Sequence, residues 1–279
     1  MELIMPDRVY HYTSIDALVG ILKKEEIEVS SGKKKYQSSL TFWGSRYDCM
    51  NDPQDYLFAS KVVLPKILKT IEQCKEISED LKEDNDAFPY IVSFSEKRDD
   101  DSMWKHYKAE VCLEIDTRYL SPWIQENGTI KGFWGKCVYA KEQDIDESFF
   151  ESWQKSLQYI ENIPSMARHA CVYIKRDAFK QEQEWRLYLA DEFLPHIKAN
   201  GEIYYTEQPQ DIKVKFVREK DIVFYKEFRI EAKALKAIIV NDTDWEHFHK
   251  VKKHIEVLLM DRGFFPEDIL IEQTSRYPL

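Results

Sequence analysis

Apolar positions follow two periods along this chain. Ile15, Leu18, Val19 and Leu22 recur at helical spacing, and Ile21 widens the stripe. Thr13 stands three residues before Asp16, a capping-box spacing with Asp in place of Glu, so a helix is expected to start there and end near "KKEE". The "RVYHY" before it reads as a short strand, and the "IEVSS" after it as the start of another. "GKKKYQSS" reads as a basic loop, and "LTFWGSRYDCMNDPQDY" as irregular, with Asn51-Asp52-Pro53 marking a turn or helix start. Helical patterns cover about 54–83 and 144–171, the second with Phe149, Phe150, Trp153, Leu157 and Ile160 on one stripe.

From residue 90 the pattern becomes strand-rich. "YIVSFSE" is apolar on both alternating sets, as a strand buried on two faces would be. A charged loop, "KRDDD", leads to a short helix or turn, "SMWKHYKAE". "VCLEID", "WGKCVYA", "EWRLYLA", "EIYYT", "IKVKFV", "IVFYKEFRIE" and "LKAIIVN" read as strands. "DWEHFHKVKKHIEVLLMDRG" is a helix closing at Gly263, and "DILIEQTS" a last strand. Helices and strands mix without regular βαβ alternation, which favours an α+β fold. There is no repeat and no Gly-, Ser- or Pro-rich linker, so one domain over 1–279 with helical insertions near 54–83 and 144–171 is expected.

Composition narrows the function classes. With 43% hydrophobic and 14% aromatic residues in 279, the chain can bury a substantial core. Only 8 Gly argue against a glycine-rich phosphate loop, and a net charge of −10 argues against sequence-independent nucleic-acid binding. The five cysteines are odd in number and lack C-x-x-C spacing, so neither a disulfide framework nor a zinc site is expected. No leader-like apolar region and no membrane-length apolar run is visible, which points to a cytoplasmic protein outside any membrane.

Two stretches invite chemistry. If 182–189 is a strand, Glu182, Glu184, Arg186 and Tyr188 share one face and Gln183, Trp185, Leu187 and Leu189 the other. In water the first face is merely solvated. In a cleft, Arg186 neutralises one carboxylate and leaves the other for work. In "SMWKHYKAE", Trp104 and Tyr107 lie on one helical face, either as a stacking platform for a base or as a core anchor. His247, His249 and His254 on the last helix lack a completing ligand and read as solvated, so no metal is expected.

"YHYTSIDALVGILKKEEIEVSS", "NDPQDY", "YIVSFSEKRDDDSMWKHY", "VCLEID", "FKQEQEWRLY", "LKAIIVN" and "ILIEQTS", in that order, resemble the bacterial family known as domain of unknown function 2971. More distantly, His-x-Thr on a strand before a helix, a small apolar-Ser segment and a later Glu-x-Glu are similar to ADP-ribosyltransferase-like domains. That resemblance implies a mostly antiparallel core that takes NAD as substrate, with no metal. It matches His11 to the histidine that holds the ribose, Glu184 to the glutamate that stabilises the ribosyl cation, and Glu182 to the first glutamate of the pair. Tyr107 or Trp104 would be the aromatic that stacks on nicotinamide. Thr13 and Ser95 would line the cofactor site, and Arg46 or Arg186 would face the pyrophosphate. The acceptor, protein or nucleic acid, stays open. The residue types suit the reaction, because a fixed carboxylate stabilises the positive charge that develops on the sugar. A non-catalytic nucleotide- or protein-binding module, in bacterial defence or stress response, is the alternative. An enzyme acting on nucleic acid is a further reading, which a basic groove of Lys33, Lys34, Lys35 and Arg46 beside His11 would favour.

Overall fold

The computed structural model describes residues 5–28, 34–50, 57–63, 89–120, 123–126, 129–144, 171–189, 195–197, 203–205, 213–217 and 221–275. The helical insertions expected at 54–83 and 144–171 lie outside these, apart from 57–63, 144 and 171. In chain order the strands are β1 (Arg8–Thr13), β2 (Leu22–Glu28), β3 (Lys34–Arg46), β4 (Tyr90–Ser95), β5 (Val111–Asp116), β6 (Trp123–Glu126), β7 (Thr129–Lys136) and β8 (Val138–Ala140). They continue as β9 (Ile174–Arg176), β10 (Glu184–Leu189), β11 (Pro195–Ile197), β12 (Ile203–Tyr205), β13 (Lys213–Val217), β14 (Asp221–Glu231), β15 (Leu235–Val240) and β16 (Leu270–Gln273). The α-helices among the described residues are α1 (Ile15–Ile21), α2 (Asp101–Tyr107) and α3 (Trp245–Asp261).

Twelve strands join one sheet along the path β13-β14-β3-β4-β1-β5-β15-β16, with β10, β7, β6 and β2 branching from it. β15–β16 and β8–β9 are parallel, and the other described pairings are antiparallel. The fold is therefore α+β with a mixed, largely antiparallel sheet. Leu18 and Ile21 of α1 and Phe248, Ile255 and Leu259 of α3 share one apolar cluster with Val9, Leu113 and Ile238 of the sheet. No helix among the described residues is long and apolar enough to cross a membrane.

Local chemistry explains where the elements begin and end. Ser14 caps α1, its Oγ accepting from the Ala17 N–H at 3.1 Å, so Thr13 is the last residue of β1 and not the cap. The "KKEE" expected at the helix end is strand instead. β2 pairs with β3 over seven residues, from Leu22↔Leu40 to Glu28↔Lys34. Leu22 and Leu40 are fully buried, and Lys34 reaches Glu26 at 3.1 Å, so the ladder outweighs a helical stripe of two turns. The same ladder absorbs residues 34–39 of the expected basic loop "GKKKYQSS" and part of the segment read as irregular, since β3 runs from Lys34 to Arg46. α3 closes as expected: Gly263 takes a φ of 75°, and Ser38 Oγ donates to the Arg262 and Gly263 carbonyls at 2.9 Å.

Candidate functional site

The sheet forks at β4. On one edge β4 pairs with β10 along its whole length, from Tyr90↔Leu189 to Ser95↔Glu184. On the other edge β3 covers Tyr90 and Ile91, whereas β1 covers Ser95. Between them, no strand pairing covers residues 92–94 on that edge. A cavity of about 340 Å³ occupies the fork, and residues of β1, β3, β4 and β10 line it. That volume lies in the range of small-ligand pockets.

His11 takes the place of a strand at the fork. Its Nδ1 lies 2.9 Å from the Ser93 carbonyl oxygen. A carbonyl can only accept, so Nδ1 carries the proton and Nε2 is the acceptor nitrogen. The ring is wedged between Phe42 and Phe94, with centroids 5.0 and 5.4 Å away. Burial pushes its pKa down, against the pull of the Ser93 carbonyl, which keeps the imidazole neutral. The ring is both packed and a wall of the cavity.

The carboxylates form a second, drier cluster. Glu184 opens β10, where all six residues are buried, so neither face of this strand is solvated. Glu182 is not on the strand. It ends a 3₁₀ turn, Asp177–Glu182, and Gln183, at φ 45°, turns the chain between the two. Both carboxylates nevertheless converge on Lys175 of β9, whose Nζ is 2.6 Å from Glu182 Oε2 and 2.6 Å from Glu184 Oε2. Arg186 Nε donates to Glu184 Oε1 at 2.8 Å, and its Nη1 to the Val172 carbonyl at 2.5 Å. Burial alone would raise the Glu184 pKa, but Arg186, then Lys175, outweigh it and bring it down to about 2. Burial disfavours the charged Lys175, yet Glu184 and Glu182 hold its pKa above the usual lysine value. The backbone of Glu184 is held as well, its N–H donating to Tyr139 Oη at 2.7 Å and its carbonyl accepting from Cys137 N at 2.9 Å.

The fork brings together five of the residues singled out from sequence: His11, Thr13, Ser95, Tyr107 and Glu184 all line the cavity. Tyr107 donates to Glu182 Oε2 at 3.2 Å, and burial, reinforced by the Glu184 and Glu182 charges, keeps its phenol protonated. The other four candidates stand elsewhere. Trp104 is 2% exposed, packs edge-on against Tyr12 at 4.9 Å and donates to Asp99 at 2.8 Å, so it is a core anchor and not a stacking platform at the cavity. Glu182 and Arg186 lie in the buried cluster behind the lining. Arg46 stacks on Phe224 at 4.2 Å, and neither it nor Arg186 lines the cavity, so neither is placed for a pyrophosphate there.

Lys33 lies outside the described residues. Lys34 and Lys35 stand at the start of β3, roughly 25 Å along the strand from the Phe42 that touches His11, so no groove beside His11 is built from them. Sequence reading missed Lys175, whose short strand precedes the Glu pair by a few residues, and Trp43 and Lys215, which line the cavity from β3 and β13. No local motif marks any of the three.

Part of this region matches a known family model. Residues 103–187 fit the family model described as Protein of unknown function (DUF2971). The matched stretch holds Tyr107, Lys175, Glu182, Glu184 and Arg186; His11 and Lys215 lie outside it. No curated protein and no solved structure matches the chain. The family's description carries no activity.

Proposed function

We propose that the fork cavity binds a nucleotide, with NAD the first candidate, and that the protein acts as a binding module in which Glu184 is structural. One observation carries this reading. The Glu184 carboxylate is saturated by Arg186 at 2.8 Å and Lys175 at 2.6 Å. A glutamate that stabilises a ribosyl cation must present its charge to the sugar. Two cations on its oxygens cancel that field and bind the lone pairs that would orient an acceptor. What remains at the cavity suits recognition: Tyr107 offers a ring, Thr13, Ser45, Ser93 and Ser95 also line it, and His11 keeps an acceptor nitrogen.

A second reading has its own support. His11, Tyr107 and Glu184 line one cavity, as an ADP-ribosyltransferase-like pocket requires. In that case a bound ligand would have to draw Arg186 or Lys175 away from Glu184.

Isothermal titration of NAD separates the two, with released nicotinamide measured afterwards. Wild type is compared with His11→Ala, Tyr107→Phe and Glu184→Gln, each checked for folding by circular dichroism. Binding that weakens in His11→Ala, with no nicotinamide released, is the expected result. Nicotinamide release that disappears in Glu184→Gln replaces the binding reading with the enzymatic one. No heat from NAD or AMP at millimolar concentration, in folded protein, removes the nucleotide from the proposal.

A further inference from the structure

The charges around the cavity do not balance. Glu184 is neutralised by Lys175 and Arg186, His11 is neutral and Tyr107 is protonated. Lys215 of β13 also lines the cavity, half-buried, and its Nζ stands 4.3 Å from the centre of the Trp43 ring. Among the described residues it has no carboxylate partner, whereas its neighbour Lys213 pairs with Glu227 at 2.7 Å. The ring face offsets part of its desolvation. Burial lowers its pKa. Among the described residues, the lining thus carries one positive charge without a carboxylate partner, next to an aromatic face.

We propose that Lys215 holds the phosphate of the bound nucleotide, with the base or sugar lying toward His11 and Tyr107, so that the site selects a phosphorylated nucleoside over the free one. This rests on the nucleotide-binding reading of the same cavity and adds the group that Lys215 recognises. A half-buried ammonium without a counterion is costly and gains most from an anion it can hydrogen-bond. Trp43 restricts the side chain.

The test titrates adenosine, AMP, NAD and inorganic phosphate into wild type and Lys215→Met, which keeps the length and the packing on Trp43. AMP is expected to bind wild type about tenfold or more tightly than adenosine, as one charge-assisted contact implies. Lys215→Met should erase that advantage and leave adenosine binding unchanged. Equal binding of adenosine and AMP to wild type, or AMP binding untouched by Lys215→Met, overturns the assignment of Lys215 while the pocket reading stands. Inorganic phosphate binding as tightly as AMP also overturns it, since the site would then take a free anion. If none of the nucleosides or nucleotides binds to folded protein, both readings fall together.

Discussion

Lys175 is the hinge of the buried charge cluster, and replacing it tests the electrostatic account directly. Lys175→Met removes one of two cations from a group of two carboxylates, Glu182 and Glu184, that are 6% and 2% exposed. Arg186 still serves Glu184, but Glu182 loses its 2.6 Å partner. Breaking a buried pair from one side costs about 3–5 kcal/mol, most of it the penalty for the stranded charge. Glu182→Gln in the same background removes that charge and restores an Arg186–Glu184 pair of zero net charge. The double variant should therefore be more stable than the sum of the two single changes by about 2 kcal/mol. Urea unfolding of all four proteins at neutral pH measures this, with midpoints shifting at constant slope. Additivity within about 0.5 kcal/mol, or a loss below about 1 kcal/mol for Lys175→Met, would refute the reasoning.

His11→Ala strands the Ser93 carbonyl and opens a gap between Phe42 and Phe94, so thermal or urea unfolding should show a loss of about 1–3 kcal/mol apart from any effect on binding. Gly135 pairs with Arg186, and a Cβ there would come within 2.6 Å of the Tyr173 ring, so Gly135→Ala should destabilise by about 1–3 kcal/mol; an unchanged Tm would show that the ring gives way freely. Glu184 and Asp116 both have folded pKa values depressed to about 2, below the usual carboxylate range, so the stability they contribute is present above about pH 4.5 and lost as pH falls toward 2. Circular dichroism against pH should place acid unfolding in that window. Asp99 accepts from Trp104, Thr274 and Ser275 together, so Asp99→Ala should speed amide hydrogen exchange along β16 while sparing β10.

The strands were legible where side-chain pattern and backbone pairing agree. β4, β5 and β15 are apolar runs that the core requires, and they lie where the pattern puts them. The pattern misled at "KKEE", because a hairpin partner many residues away decides between helix and strand and leaves no mark within seven residues. It also misled at Glu182, because a left-handed residue at Gln183 breaks the alternation that placed both glutamates on one strand. His11 and Glu184 were visible as polar residues in apolar strands. Lys175 was not, although it stands only seven residues before Glu182, because a 3₁₀ turn and not a strand period joins them; Trp43 and Lys215 were not, because their strands lie far apart in the chain and meet only in the sheet. Trp104 shows the opposite limit: helical spacing put it beside Tyr107, but only three-dimensional packing tells which of two neighbouring rings faces the core.

The fork in the sheet also sets a length. Its uncovered edge spans residues 92–94, roughly 10 Å at the rise of a strand. One ring with its sugar can lie along such an edge; two joined through a pyrophosphate cannot. A dinucleotide would enter by one half and leave the other outside the backbone walls, held by side chains alone. Because the walls at that edge are strand ladders, they cannot widen by a residue without losing register, so analogues bulky on the half enclosed there should be rejected more sharply than analogues modified on the half that trails out.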